Sequence, residues 1–442
     1  MTPRDLAVPA TAVRDRPAPR RDPVRAMAQR LSWGLGDQAV SSLTNFFVGV
    51  VVAHSVSPAY FGIFTLAWIT YGVVLNVSRG LTSDPLVVRF SGVPDASWRA
   101  AVAAASGTAL VLGVLAGGAS VLAGAMIGGQ VGHAFVALGL VLPGLMLQDT
   151  WRFACFAAGH GRKAFLNDLT WGVALVPALL LAVGQRSVFG FVLAWGLAGA
   201  VAAGYGCLQT GIVPSLHGIG GWLRQHRDLG PRYLVENVSN SGAVQLRMYG
   251  LGAIAGVSDV GALRGAELLL GPFLMVLMGL TLFAVPEASR LLREAPHRLP
   301  RFCLLLGGGQ AVTAATWGLM LLFLLPDSVG RAVLDDVWDL ASPLILPVSI
   351  SVTGAGLVAG AAAGLRALGA ARRSVRAQLF ASAGYVGGGL TGAAIAGALG
   401  SSWGSATAMW CGAVVWWLQF RAAMNEHTMT MPRAGQEEIH TP

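Results

Sequence analysis

Twelve stretches of about twenty or more mostly apolar residues run through this chain, and they constrain it more than any other feature. In hydrocarbon every backbone N–H and C=O must find a partner inside the protein, so a continuous apolar run of ~20 residues crosses as a helix. The runs lie at about 36–56, 60–89, 99–128, 133–157, 164–185 and 188–210, then 232–256, 260–289, 299–325, 340–365, 374–398 and 402–423. They are continuous rather than alternating, which excludes a transmembrane barrel. Of 442 residues, 12% are charged and 54% apolar. A soluble domain carries about 25% charged residues, so soluble enzymes, disordered chains and disulfide scaffolds are excluded. The expected fold class is an all-α integral membrane protein of about twelve transmembrane helices.

The four cysteines, Cys155, Cys207, Cys303 and Cys411, all fall inside apolar runs and form no CxxC pair. They read as small buried hydrophobes, and no metal site or cofactor is expected.

Charge then sets the orientation. Net charge is +9, and Lys163 is the only lysine. With the N-terminus inside, cytoplasmic segments hold 24 of the 30 Lys and Arg, and the outer loops hold 3: Arg186, Arg264 and Arg331. The last three, Arg79, Arg152 and Arg247, lie within spans. This asymmetry is the positive-inside signature, so the basic balance reflects topology and not nucleic-acid binding. A multi-pass protein of the cytoplasmic (inner) membrane with both termini cytoplasmic is expected.

Residues 1–30 carry seven arginines, three aspartates and five prolines without an apolar h-region. They read as a disordered basic cytoplasmic tail rather than a signal peptide. The basic segment 213–231, with Trp222 and Leu223 amid polar neighbours, reads as an interfacial linker.

Two halves repeat. Val56-Ser57-Pro58-Ala59-Tyr60-Phe61-Gly62 matches Val257-Ser258-Asp259-Val260-Gly261. Each leads into a long span that closes on proline with arginine four residues later: Pro85 and Arg89, then Pro286 and Arg290. Leu142-Pro143 is answered by Leu346-Pro347, and the hairpin Arg162-Lys163 by Arg372-Arg373. The order implies two pseudo-symmetric six-helix lobes, 31–212 and 232–424, followed by a cytoplasmic tail 425–442. Parallel repeats of this kind are a transporter architecture with a substrate site between the halves. Ladders Gly356/Gly360/Gly364 and Gly384/Gly388/Gly392 let helix backbones approach closely.

Four stretches carry a resemblance: GDQAVSSLTNFFVGVVVAHSVSPAYFGIFTLA (36–67), LQDTWRFACFAAGHGRKAFLNDLTW (147–171), WLRQHRDLGPRYLVEN (222–237) and GAIAGVSDVGALRGAELLLGPFLMVLMGLTLFAVPEASR (252–290). On these the chain resembles the polysaccharide flippase, or Wzx-like, branch of the MOP transporter superfamily. The resemblance implies a MOP/MATE-like fold with a V-shaped central cavity between two lobes. It also implies a lipid-linked oligosaccharide substrate, flipped to the outer leaflet during synthesis of surface polysaccharide such as O-antigen. Polysaccharide polymerase and glycosyltransferase machinery would be the partners. No binding residue is carried over by name.

A lipid diphosphate carries about two negative charges, and arginine's planar fork bonds phosphate oxygens in pairs. A charge at membrane depth costs ~2.5–3.5 kcal/mol on insertion scales, so it marks function by default. The three arginines within spans are therefore the leading substrate-binding candidates. Arg247, mid-span 7, stands first, against a structural pairing with Glu236 or Glu267. Arg79 stands second, against an internal pair with Asp84. Arg152 stands third, against an ion pair stapling span 4 to Asp168, with Asp149 on its own face. Asp37, Ser41, Thr44 and Asn45 share one helical face of span 1, and Gln245 and Tyr249 lie in the polar stretch of span 7. Asn45, Gln245 and Tyr249 join the cavity candidates, and Asp37 and Glu236 are candidate ion-coupling sites. Trp68 and Tyr71 are either sugar-stacking rings or interfacial anchors.

Three functions compete. A flippase fits the arginines. An ion-coupled multidrug or metabolite antiporter of the same superfamily would need a deep acidic site. A membrane enzyme such as a sugar polymerase usually needs a large outer loop, and the longest here, about 326–339, is short. The chain is read as a transporter and not an enzyme.

Overall fold

The computed structural model describes residues 23–91 and 95–430, apart from the side chains of 23–31, 95 and 429–430 and of some positions within 232–240 and 272–283. The chain is built of helices in the order α1 (Pro23–Ser55), α2 (Pro58–Leu81), α3 (Ser83–Phe90), α4 (Asp95–Ile127), α5 (Gly129–Ala157), α6 (Gly161–Val183), α7 (Val188–Thr210) and α8 (Ile219–Gln225). There follow α9 (Gly230–Ile254), α10 (Val257–Glu294), α11 (Leu299–Phe323), α12 (Asp327–Leu334), α13 (Val337–Ala341), α14 (Ile345–Ala367) and α15 (Ala371–Thr430).

Among the described residues, nine helical stretches are long and apolar enough to cross a membrane. The seventh and eighth expected spans are present as α9 and α10. The eleventh and twelfth are the two arms of α15, which separate at Ala396 and Gly397, where the backbone leaves helical geometry. Gly397 takes φ +56 there, and Asp259 accepts a hydrogen bond from the Ala398 N–H, capping the second arm. All twelve expected segments are thus helical, and the protein is a multi-pass membrane protein.

Helix α1 begins at Pro23, inside the stretch read as a disordered tail. Proline suits a first helical position, and Arg25, Ala26, Met27, Ala28, Gln29 and Arg30 are good helix formers in a stretch too charged to read as a span. Residues 1–22 and 431–442 lie outside the described residues.

Proline also sets the break between α2 and α3. Pro85 has no N–H to give the carbonyl of Leu81, four residues earlier, and its ring crowds that carbonyl. The freed Leu81 oxygen instead accepts the indole N–H of Trp222 at 2.9 Å. The linker is pinned by this bond and others. Arg89 donates to the Gln225 carbonyl at 2.6 Å and pairs with Asp228 at 2.7 Å. Phe90 stacks on Trp222 and His226 packs on the same indole, their centroids 6.0 and 3.9 Å away. Burial holds the His226 imidazole below its usual range, with the Arg89 charge adding to the shift.

The chain divides into two compact units. The first comprises residues 1–48 and 67–242, and the second 49–66 and 243–442. The division therefore falls within α1, α2 and α9, not in the 213–231 linker. In the first unit α4 packs on α5, and α7 on α5 and α6. In the second, α14 packs on α10, α11 and α15.

Both glycine ladders serve as close-packing surfaces. A Cβ on Gly356 would meet the Ala311 backbone, one on Gly360 the Cys303 carbonyl, and one on Gly364 the Phe420 ring. In α15, Gly388 and Gly392 of one arm face the backbones of Gly404 and Gly400 of the other.

Candidate functional site

The first unit buries a network of five charged side chains drawn from four helices. Residues 148, 149 and 152 share one turn of α5, which aims all three at α1, α2 and α6. Arg79 of α2 holds Asp149 in a fork, Nε to the two carboxylate oxygens at 3.1 and 3.0 Å and Nη2 at 2.6 Å. Arg152 donates from Nε and Nη2 to one oxygen of Asp37, at 2.8 and 2.5 Å, and its Nε lies 3.3 Å from Asp168. Gln148 donates to Asp168 at 2.8 Å and to Asn167 at 3.1 Å, and Asn167 anchors on the Ala202 carbonyl at 2.8 Å. Phe153 and Phe156 lie beneath the two guanidiniums, at 4.9 and 5.9 Å.

Three carboxylates share two guanidiniums, so the network has a formal surplus of one negative charge. Asp37 is fully buried, and its second oxygen has no hydrogen-bond partner among the described residues. A buried carboxylate oxygen left without a donor is an unsatisfied acceptor.

The second unit holds a smaller cluster of opposite sign. Arg247 of α9 is 3% exposed. It reaches Glu267 of α10 at 3.1 Å and Ser405 of α15 at 3.2 Å, with its guanidinium 4.8 Å from the centroid of Tyr385. Arg264, one turn before Glu267, contacts the same carboxylate at 3.5 Å. The cluster therefore has two guanidiniums to one carboxylate, and the Arg247 Nε–H has no partner among the described residues. Gly389 makes room for Arg247, because a Cβ there would sit 2.8 Å from its Cδ.

The sequence candidates thus separate. Arg79, Arg152 and Asp37 come together in the first unit, and Arg247 stands in the second. Asn45 is half-buried on α1, and Gln245 and Tyr249 are half-buried on α9. The side chain of Glu236 lies outside the described residues. One expected pairing changes. Asp149 holds Arg79, while Asp84 accepts from the Asn237 amide at 2.7 Å. Glu267, one of the two acids expected for Arg247, is its partner among the described residues. The expected Arg152–Asp168 contact is present, but Arg152 is shared with Asp37. Trp68 and Tyr71 pack on the buried ring of Trp195 at 4.8 and 4.9 Å, as part of the first unit's core.

Solved structures match the fold along almost its whole length. An inward-facing multidrug-resistance transporter of the MATE family superposes with a TM-score of 0.70, covering 88% of this chain and 96% of its own at 14% identity. The fold is that of the MOP-superfamily transporters. An outward-facing MATE-family transporter of that superfamily matches with a TM-score of 0.55, over 93% and 98% of the two chains at 14% identity. A MOP-superfamily transporter from Pyrococcus furiosus, described as having a binding pocket of reversed polarity, matches with a TM-score of 0.57, over 92% and 97% at 14% identity. No protein-family model matches the sequence, and no curated protein matches it.

Within this fold, Gln148 and Asn167 are the polar residues that the sequence reading underweighted. Gln148-Asp149 one turn before Arg152, with Asn167-Asp168 in the next helix, was the available signal. Four adjacent polar residues at membrane depth need one another as partners.

Proposed function

We propose that this protein is a transporter that flips a lipid-diphosphate-linked oligosaccharide from the inner to the outer leaflet during synthesis of surface polysaccharide. The observation that carries this reading is the Arg247 cluster. A buried guanidinium with an unpartnered Nε–H, in a group of two arginines and one glutamate, is chemically ready for an anion. A diphosphate oxygen would satisfy that N–H and neutralise the surplus charge. Its expected setting is the cytoplasmic membrane, with both termini inside and polymerase and glycosyltransferase machinery as neighbours. Arg247→Ala and Arg247→Lys test the assignment in host cells that lack the native chain. Alanine should abolish glycan export at normal membrane levels of the protein, and lysine should rescue only part, because a point charge loses the fork. Full export by Arg247→Ala would contradict it.

The second reading, ion-coupled antiport of a drug or metabolite, is favoured by one observation: the acidic surplus around Asp37 in the first unit. Its test is Asp37→Asn in proteoliposomes with an imposed proton or sodium gradient. Loss of gradient-driven substrate movement would support antiport, and retention would remove Asp37 from coupling.

A further inference from the structure

Beside the charged network, which it meets through Phe153, the first unit contains a cavity of ≈ 210 Å³. It is lined by Asp84, Val87 and Val88 of α3, Phe153 of α5, and Tyr233 and Asn237 of α9. In the expected orientation it opens at the cytoplasmic end of the helices. Its wall combines two kinds of surface. Phe153 and Tyr233 provide aromatic faces, with the Arg79 guanidinium lying over the Phe153 ring at 4.9 Å. Asp84 and Asn237 provide a planar polar edge, already joined by a hydrogen bond from the Asn237 amide to the carboxylate at 2.7 Å. Asn237 is tethered in turn to the Asn76 carbonyl at 3.4 Å and through its own carbonyl to the Ser241 hydroxyl at 2.9 Å, so the edge is pre-positioned.

We infer that this cavity is a carbohydrate subsite that takes one pyranose ring, an inference that rests on the flippase reading. The chemistry follows from the lining. A pyranose has an apolar face of axial C–H groups, which packs on aromatic rings, and a rim of vicinal hydroxyls. Those hydroxyls donate to the Asp84 carboxylate and to the Asn237 amide oxygen, which stand side by side while the Asn237 N–H groups hold Asp84 and Asn76. A cavity of ≈ 210 Å³ accommodates a single ring rather than an oligosaccharide. Among the described lining residues none is cationic and the polar edge is anionic, so this lining favours the glycan over the lipid diphosphate. The subsite therefore selects the glycan and not the carrier, and it holds a sugar of the headgroup before transport begins.

Saturation-transfer NMR on the purified full chain in detergent tests this, with methyl pyranosides of glucose, galactose, mannose, rhamnose and N-acetylglucosamine as probes. At least one should bind the wild type. Val88→Trp, which fills the cavity from an exposed position without removing a hydrogen bond, should abolish the signal. Asp84→Ala should weaken binding roughly tenfold, the loss of one charged hydrogen bond. No binding by the wild type, or binding that both variants retain, overturns the subsite. A parallel measurement separates it from the reading it rests on. If host cells lacking the chain accumulate no lipid-linked glycan, the flippase reading fails, while the NMR result still decides whether the cavity binds sugar.

Discussion

Gly62 and Gly261 hold the same place in the two sequence repeats, and in the second unit they lie against each other. A Cβ on Gly62 would strike the Val257 carbonyl and come 3.0 Å from the Gly261 nitrogen. A Cβ on Gly261 would strike the Pro58 carbonyl and come 3.0 Å from the Gly62 nitrogen. The start of α2 and the start of α10 thus meet backbone to backbone, a contact that only residues without a Cβ permit.

Gly261→Val should therefore destabilise the protein by about 2 kcal/mol, the cost of forcing a side chain into a filled contact. The unfolding midpoint in detergent reads this directly. Gly118, where nothing lies within 4 Å of an added Cβ, is the matched control. Gly118→Ala should not lower the midpoint, since alanine is the better helix former and meets no neighbour.

The repeat marked both glycines in the sequence, though not their contact, just as continuous apolar runs made the helices legible. The partners of the arginines were not. For Arg79 the near choice along the chain was Asp84, yet Asp149, seventy residues on in α5, holds it. Which acid meets which arginine is set by the rotation of one helix against another, and no local spacing encodes that. The start of α1 escaped for a different reason. Hydropathy detects long apolar runs, while Pro23–Arg30 extends α1 through a short stretch broken by Arg25, Gln29 and Arg30. The break before α3 was marked by Pro85, but its consequence, a carbonyl handed to Trp222, depends on a linker 141 residues away.

Trp222→Phe isolates that bond. The ring can still stack on Phe90 and His226, but the Leu81 carbonyl loses its donor. About 1 kcal/mol of stability should be lost. Hydrogen exchange should rise in residues 79–90 and 215–228 and stay unchanged in α14.

Arg79→Ala should cost more, about 3–5 kcal/mol, because Asp149 is then a buried carboxylate with its main counter-charge removed. The double variant Arg79→Ala/Asp149→Ala should recover much of that loss. Additive losses in the double variant would mean that the pair is not coupled.

Acid should loosen the linker. The His226 Nδ1–H donates to the Trp222 carbonyl at 2.9 Å, and its Nε2 is buried without a partner among the described residues. A proton on Nε2 would create an unsatisfied buried donor facing the Arg89 charge, opposed by Asp228. The folded imidazole therefore refuses a proton that the unfolded one accepts. Stability is full above the ordinary value of 6.5 and falls as pH drops below it. Hydrogen exchange in 215–228 should rise between about pH 7 and pH 5.5 in the native chain, and that rise should be reduced in His226→Gln.

The most direct test of the central claim is reconstitution in liposomes with a fluorescent lipid-diphosphate-linked oligosaccharide and a valinomycin-set potassium potential. An inside-negative potential favours outward movement of a diphosphate by ~2.3 kcal/mol per charge per 100 mV. The account predicts flipping that responds to the sign of the potential and is lost in Arg247→Ala. Failure to flip this substrate, together with proton- or sodium-driven transport of a cationic dye that is lost in Asp37→Asn, would contradict it.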